Sequence, residues 1–220
     1  MRPNRGAQHR QTGTCPPAGG TGKAFRQACR KDGTVNHFHQ IAALLDSYGL
    51  DAMLLTGEAN RFYASGFHSA GTDGVALVTR KKAYYFTDSR YIEAAGRSVQ
   101  GAEIREVGPG RGYGVLLSEA LGEQQVCRLG YEEAYMTVLE HERYRKVLPC
   151  DLVPATELLW KLRTVKDDEE LDAMVAAQRI AEKALEVILE EIRARRYGER
   201  EIAARAAVSD APFRGGEHVL

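Results

Sequence analysis

Two apolar runs, Val75-Ala-Leu-Val-Thr79 and Ala83-Tyr-Tyr-Phe-Thr87, are separated only by Arg80-Lys-Lys82, and this spacing restricts the fold more than any other feature. Three residues are too few for a crossover, so the runs must pair antiparallel as a hairpin. Strand-like stretches flank them at Asp51–Thr56, Glu103–Val107, Val126–Gly130 and Asp151–Val153. Between these lie segments with the three-and-four apolar spacing of amphipathic helices: Phe38–Tyr48, Tyr91–Val99, Tyr113–Leu121 and Thr137–Val147. Asn36 is placed to cap the first of them and Gly49 to close it. Alternating strands and helices predict an α/β fold in which a sheet is sandwiched by helices, and the hairpin makes that sheet mixed.

A second pattern starts at Trp160 and continues to about Ala204 as one long helical stretch. Leu171, Met174, Ala181, Leu185, Ile188, Leu189 and Ile192 form a single stripe. Asp167, Asp168, Glu169 and Glu170 fall in the first turn, where the helix dipole favours anions, and Arg193, Arg195 and Arg196 fall in the last. Gly198 is suited to end the helix, and Glu199–Arg205 reads as the start of another.

At 220 residues the chain suits one domain and part of a second. Its 30 Lys plus Arg balance 30 Asp plus Glu, so charge argues for no nucleic-acid partner. No apolar run approaches the roughly 20 residues of a membrane span, which argues against a membrane partner. Cys15, Cys29, Cys127 and Cys150 are widely spaced without a Cys-x-x-Cys pair, and read as reduced cytoplasmic thiols. Residues 1–35 form a basic tail too poor in apolar side chains to order itself. Within it Gly19-Gly-Thr-Gly-Lys23 is not a phosphate loop, because Ala24 replaces the required hydroxyl and no strand precedes it.

The candidate chemistry in the remaining chain is sparse. His37 and His39 precede a helix and read as a solvent-exposed pair. His68, Ser65 and Asp73 share a loop but lack a nucleophile elbow. Glu132-Glu133 reads as a solvated face, and Gly108–Gly114 as a mobile loop rather than a dinucleotide fingerprint. Asp88 and Arg90 are placed to pin a strand-to-helix turn.

Several co-linear motifs resemble one family. Leu162-Arg-Thr-Val-Lys-Asp-Asp-Glu-Glu-Leu171, Ile180-Ala-Glu-Lys-Ala-Leu185 and Gly198-Glu-Arg-Glu-Ile-Ala203 resemble the entry into the pita-bread catalytic domain of the Xaa-Pro aminopeptidase, prolidase and creatinase family. Asn60-Arg-Phe-Tyr-Ala-Ser-Gly-Phe67, Gly74-Val-Ala-Leu-Val-Thr-Arg80 and Thr87-Asp-Ser-Arg-Tyr-Ile92 are similar to signposts of its N-terminal domain. The implied organisation is a creatinase-type N-terminal α/β domain over 36–163, then a C-terminal helical segment of an incomplete second domain over 164–205. Residues 206–220, broken by Pro212, Gly215 and Gly216, read as an aberrant tail of the kind a frameshift or premature stop leaves.

The resemblance implies a metallopeptidase that releases an N-terminal residue preceding proline. It holds two divalent metals, manganese or cobalt, on two Asp, one His and two Glu. Those ligands lie downstream of the opening helices, so no catalytic or metal-binding residue is assigned here, and the chain is expected to be inactive by itself. Phe67, His68 and Arg90 are the residues that the resemblance places at a composite substrate pocket or subunit interface. The implied partners are further copies of the chain or a full-length homologue, in the cytoplasm, with peptide substrate bound only in a complete enzyme. A non-catalytic oligomerisation or interaction module, and a fragment of a prolidase or creatinase-like C–N hydrolase, are the alternatives.

Overall fold

The computed structural model describes residues 36–194, 198–201 and 203–204, with the side chain of residue 191 excepted. The tail expected over 1–35 and that over 206–220 lie outside the described residues.

The chain begins with α1 (Phe38–Leu44) and a short 3-10 turn, Leu45–Tyr48, that Gly49 ends at φ 60°. A left-handed backbone is needed there, and glycine adopts it without strain. Strand β1 (Ala52–Leu55) leads to α2 (Glu58–Ser65), then the hairpin of β2 (Gly74–Thr79) and β3 (Ala83–Asp88). Next come α3 (Ile92–Ser98), β4 (Ala102–Val107), α4 (Tyr113–Glu123), β5 (Arg128–Tyr131), α5 (Val138–Val147) and β6 (Asp151–Pro154). Helices α6 (Thr156–Thr164) and α7 (Asp168–Arg193) complete the named elements.

The six strands form one mixed sheet in the order β4-β3-β2-β1-β5-β6. The pairs β1–β2 and β2–β3 are antiparallel, and the other three pairs are parallel. Strand periodicity divides the core into two layers, because successive side chains point to opposite faces. Met53, Leu55, Ala76, Val78 and Tyr85 pack with Phe38 and Ile41 of α1, Ala64 of α2, Ala95 of α3, and Leu158 and Leu159 of α6. Ala52, Leu54, Leu77, Tyr84 and Phe86 pack with Leu116, Leu117, Ala120 and Leu121 of α4. The sheet is therefore sandwiched by helices, as the alternation predicts.

Four expectations need correction. The stretch from Trp160 is not one helix: it breaks after Thr164, and Asp167 starts α7 with a capping box to Glu170. A cap whose side chain accepts from the third N–H starts a helix rather than continuing one. Asn36 is not the first cap; His37 occupies that position without a side-chain bond to the backbone of α1. Residues 58–65, to which the strand and helix pattern assigns no helix, form α2 and bury Tyr63 and Ala64. Cys127, which is half-buried, is disulfide-bonded rather than reduced, and the thiol of Cys150 is free.

Helix α7 buries little of its stripe. Leu171, Met174, Leu185 and Ile192 are exposed, and Ile188 is its one buried large apolar residue among those described. No described helix is long and apolar enough to cross a membrane.

Candidate functional site

A cleft of about 690 Å³ opens where α1 and α2 meet α6 and the start of α7. Phe62, Tyr63, Trp160 and Met174 give it apolar walls, while Arg163 and Glu170 supply charge. Residues on both sides of the break between α6 and α7 line the cleft. The break also carries His37 and Asp167 together although they are 130 positions apart, with Nε2 3.3 Å from Oδ2.

His37 lies at the floor, only 2% exposed, so the exposed His37–His39 pair expected from sequence does not form; His39 is half-buried. The reason is a stack: the His37 ring lies 3.9 Å from that of Tyr63 at an interplanar angle of 3°, and its Nδ1 is 2.7 Å from the Tyr63 carbonyl oxygen. Burial pushes the Tyr63 hydroxyl up to about 12, helped by the negative charges of Glu170 and Asp167 and opposed by Arg163. The Asp167 carboxyl is held below its ordinary range, chiefly by the Glu170 backbone N–H, against some burial, and further by His37. His37, Asp167 and Glu170 each bring one ligand-type atom to within 4.8 Å of the others.

Behind the cleft runs a buried polar chain. Arg163 donates to Asn60 Oδ1 at 2.8 Å, Asn60 donates to Glu132, and Glu132 also accepts from the backbone N–H groups of Thr56 and Gly57. Glu132 is 0% exposed, which overturns its reading as a solvated residue. Glu133 is exposed, as its solvated reading expects, yet it accepts from the Ala155 and Thr156 N–H groups and from the Thr156 hydroxyl, capping α6. Burial pushes the Glu132 carboxyl up against these hydrogen bonds. For Glu133 burial acts in the same sense, but the Thr156 bonds prevail and lower it.

The three residues expected at a pocket or interface are placed differently from one another. Phe67 is 8% exposed and packs edge-on against Tyr85 and Tyr91. The exposed His68 pairs with Glu58 at 3.0 Å and sets its ring 6.3 Å from that of Phe62, on the cleft wall. Arg90 binds Asp88 through backbone and guanidinium and reaches Asp73 at 2.8 Å, its charge 5.5 Å from the Tyr91 ring. That is the turn-pinning arrangement. Its hydrogen bonds hold the Asp88 carboxyl low. His68 thus neighbours the Phe62 wall without itself lining the cleft, while Phe67 and Arg90 meet through Tyr91.

A model of the creatinase/prolidase N-terminal domain matches residues 39–165, more than half of the chain. The chain belongs to the creatinase/prolidase family. Among curated relatives it is 35% identical over 150 residues to the uncharacterized peptidase YqhT of Bacillus subtilis, a match covering 66% of this chain and 40% of that protein. Among solved structures it resembles an Xaa-Pro dipeptidase from Bacillus anthracis, with a TM-score of 0.71 and 28% identity over 80% of this chain and 48% of that one. An X-Pro aminopeptidase from Thermotoga maritima gives 0.67 and 25% identity, covering 77% and 48%. The chain spans less than half the length of these three creatinase/prolidase relatives.

The dinuclear centre that the family resemblance implies does not fit the residues described. It calls for two Asp, one His and two Glu, whereas the cluster at the cleft offers one of each type.

Proposed function

We propose that the chain is the N-terminal portion of an Xaa-Pro peptidase whose complete form releases the residue preceding proline. The observation that carries this reading is the likeness to the Bacillus anthracis dipeptidase over 80% of the chain, which runs past the N-terminal domain into the helices that follow. Hydrolysis in the family that the resemblance implies uses a dinuclear pair of manganese or cobalt ions on two Asp, one His and two Glu, and the described residues bring together no such set, so they are expected to show no peptidase activity by themselves. In the complete enzyme the N-terminal domain shapes the substrate pocket, with Phe67, His68 and Arg90 at its border, and contributes to oligomer assembly. A cytoplasmic location belongs to this proposal, and cell fractionation tests it.

The exposed apolar stripe of α7 favours a second reading, a non-catalytic module that binds an intact homologue. One experiment separates the two. The coding DNA is read in all three frames through and beyond codons 205–220, and the restored product is assayed with manganese or cobalt on matched Xaa-Pro and Xaa-Ala peptides. Cleavage confined to Xaa-Pro sustains the proposal. Hydrolysis of a creatine-type C–N bond instead assigns the creatinase branch. Absence of any coding continuation, together with binding of the chain to a full-length relative, establishes the interaction module and overturns the catalytic reading.

A further inference from the structure

The tautomer of His37 leads to an inference independent of peptide cleavage. A carbonyl oxygen only accepts, so the 2.7 Å contact with Tyr63 requires the proton of the ring to sit on Nδ1. The neutral ring then presents a lone pair at Nε2. That lone pair faces Asp167 Oδ2, another acceptor, at 3.3 Å in a site where the histidine is almost wholly buried. A positive species between two such acceptors, either a second proton on the ring or a metal ion, would satisfy the buried Nε2, whereas the Asp167 side chain is itself 41% exposed.

The spacing accommodates a metal ion as well as a long hydrogen bond. Charge-assisted N–H···O⁻ bonds run at about 2.7–2.9 Å. A tetrahedral zinc ion with bonds of about 2.0–2.1 Å has ligand atoms about 3.3 Å apart along each edge. The observed 3.3 Å matches the tetrahedral edge. The Nδ1–H···O=C bond is also the usual way in which a metal-binding histidine is oriented.

The carboxylates are divided in a consistent way. In the capping box Asp167 Oδ1 accepts from the Glu170 N–H, and Glu170 Oε2 accepts from the Asp167 N–H. The box makes no use of Asp167 Oδ2 or Glu170 Oε1, and the partly exposed Glu170 can swing its free oxygen inward. A cation at a helix N-terminus opposes the dipole, but that effect is only about 0.3–1 kcal/mol, and two carboxylates with a neutral imidazole compensate it.

We propose that His37 Nε2, Asp167 Oδ2 and Glu170 Oε1 bind one zinc-class divalent cation, with its fourth position open to the cleft. The ion joins α1 to α7 and so fixes the first helix beyond the N-terminal domain against that domain. It is a single ion on a ligand set different from the dinuclear pair, and water or an anionic ligand in the cleft completes its shell.

The test uses the untagged 220-residue chain, stripped with chelator and titrated with zinc by calorimetry and with cobalt by visible absorption. Asp167→Asn keeps a good N-cap and Glu170→Gln keeps the capping box, so both spare α7 while weakening the site. One zinc per chain, cobalt bands of tetrahedral intensity, and a loss of affinity of roughly tenfold or more in each variant with unchanged far-UV circular dichroism are expected. Three results overturn the proposal. They are no uptake at one equivalent, uptake that neither variant weakens, and a thiolate-to-cobalt charge-transfer band, which places the ion on cysteine. Failure of Xaa-Pro hydrolysis in a restored enzyme touches none of these readouts.

Discussion

Replacing Glu132 by alanine removes the acceptor on which four donors converge: the N–H and the hydroxyl of Thr56, the N–H of Gly57 and the side-chain amide of Asn60. Each orphaned buried donor costs about 1–3 kcal/mol, and the costs are not additive because water enters the space vacated. A net loss of about 3–5 kcal/mol is expected, which at about 2–4 °C per kcal/mol lowers the thermal midpoint by roughly 10 °C. Glu132→Gln is the informative comparison. Its NH₂ is placed at least cost facing Asn60, and Asn60 can restore that bond only by flipping, which turns its own NH₂ against Arg163. One hydrogen bond to a charged group is then lost, but the cost of burying a carboxylate is relieved, so a net loss of about 1–2 kcal/mol is expected.

Urea unfolding followed by far-UV circular dichroism measures the stability of both variants. The chain's single tryptophan, Trp160 on the cleft wall, reports by fluorescence whether Arg163 has moved. If Glu132→Ala unfolds within about 0.5 kcal/mol of the parent, the network does not hold the domain and the reasoning fails. The pH dependence has a fixed sign. Burial raises the Glu132 carboxyl above its ordinary 4.5 in the folded protein. Its contribution to stability is therefore fully present below 4.5 and is lost as pH rises through the folded value. The stability advantage of the parent over Glu132→Gln should shrink with rising pH across that window; an advantage that grows would refute the assignment.

Three further outcomes are expected. Gly130→Ala places a methyl group 2.7 Å from Leu50 Cδ1 and 2.8 Å from Met53 Sδ, so overpacking should cost about 1–3 kcal/mol in the same unfolding assay; an unchanged midpoint would show that the core yields freely there. Arg90→Ala removes the contacts to Asp73 and Asp88 at an exposed turn, so circular dichroism and melting should stay as in the parent, while the same change in a complete relative should reduce turnover of Xaa-Pro peptide. Unchanged kinetics there would take Arg90 out of the pocket. Hydrogen exchange in dilute, metal-free protein should be fast over residues 171–192 and slow over the central hairpin, because α7 leaves its apolar stripe in solvent; uniform protection of α7 in the monomer would contradict this.

Local chemistry made much of the framework readable. Three residues between two apolar runs leave no option but an antiparallel pair, and β2 and β3 form it with Val75 opposite Phe86 and Leu77 opposite Tyr84. Gly49 closing a helix follows from backbone conformation, decided within a few residues, whereas the start of α7 at Asp167 was read as part of one longer helix. The cleft was not readable in the same way. Its break at 165–167 lies inside a stretch whose periodicity continues on either side.

The chain's order of strands and helices, its sheet class and its family motifs were thus determined by the sequence alone, since they rest on periods of two and 3.6 and on turn chemistry. Burial of His37, concealment of Glu132 and the meeting of His37 with Asp167 and Glu170 were decided only by tertiary structure. A histidine or glutamate in isolation carries no sign of which distant backbone carbonyl or N–H will satisfy it. That partner is chosen when α2, β5 and α7 close on one another, because a buried polar group must find a hydrogen bond wherever the packing puts it.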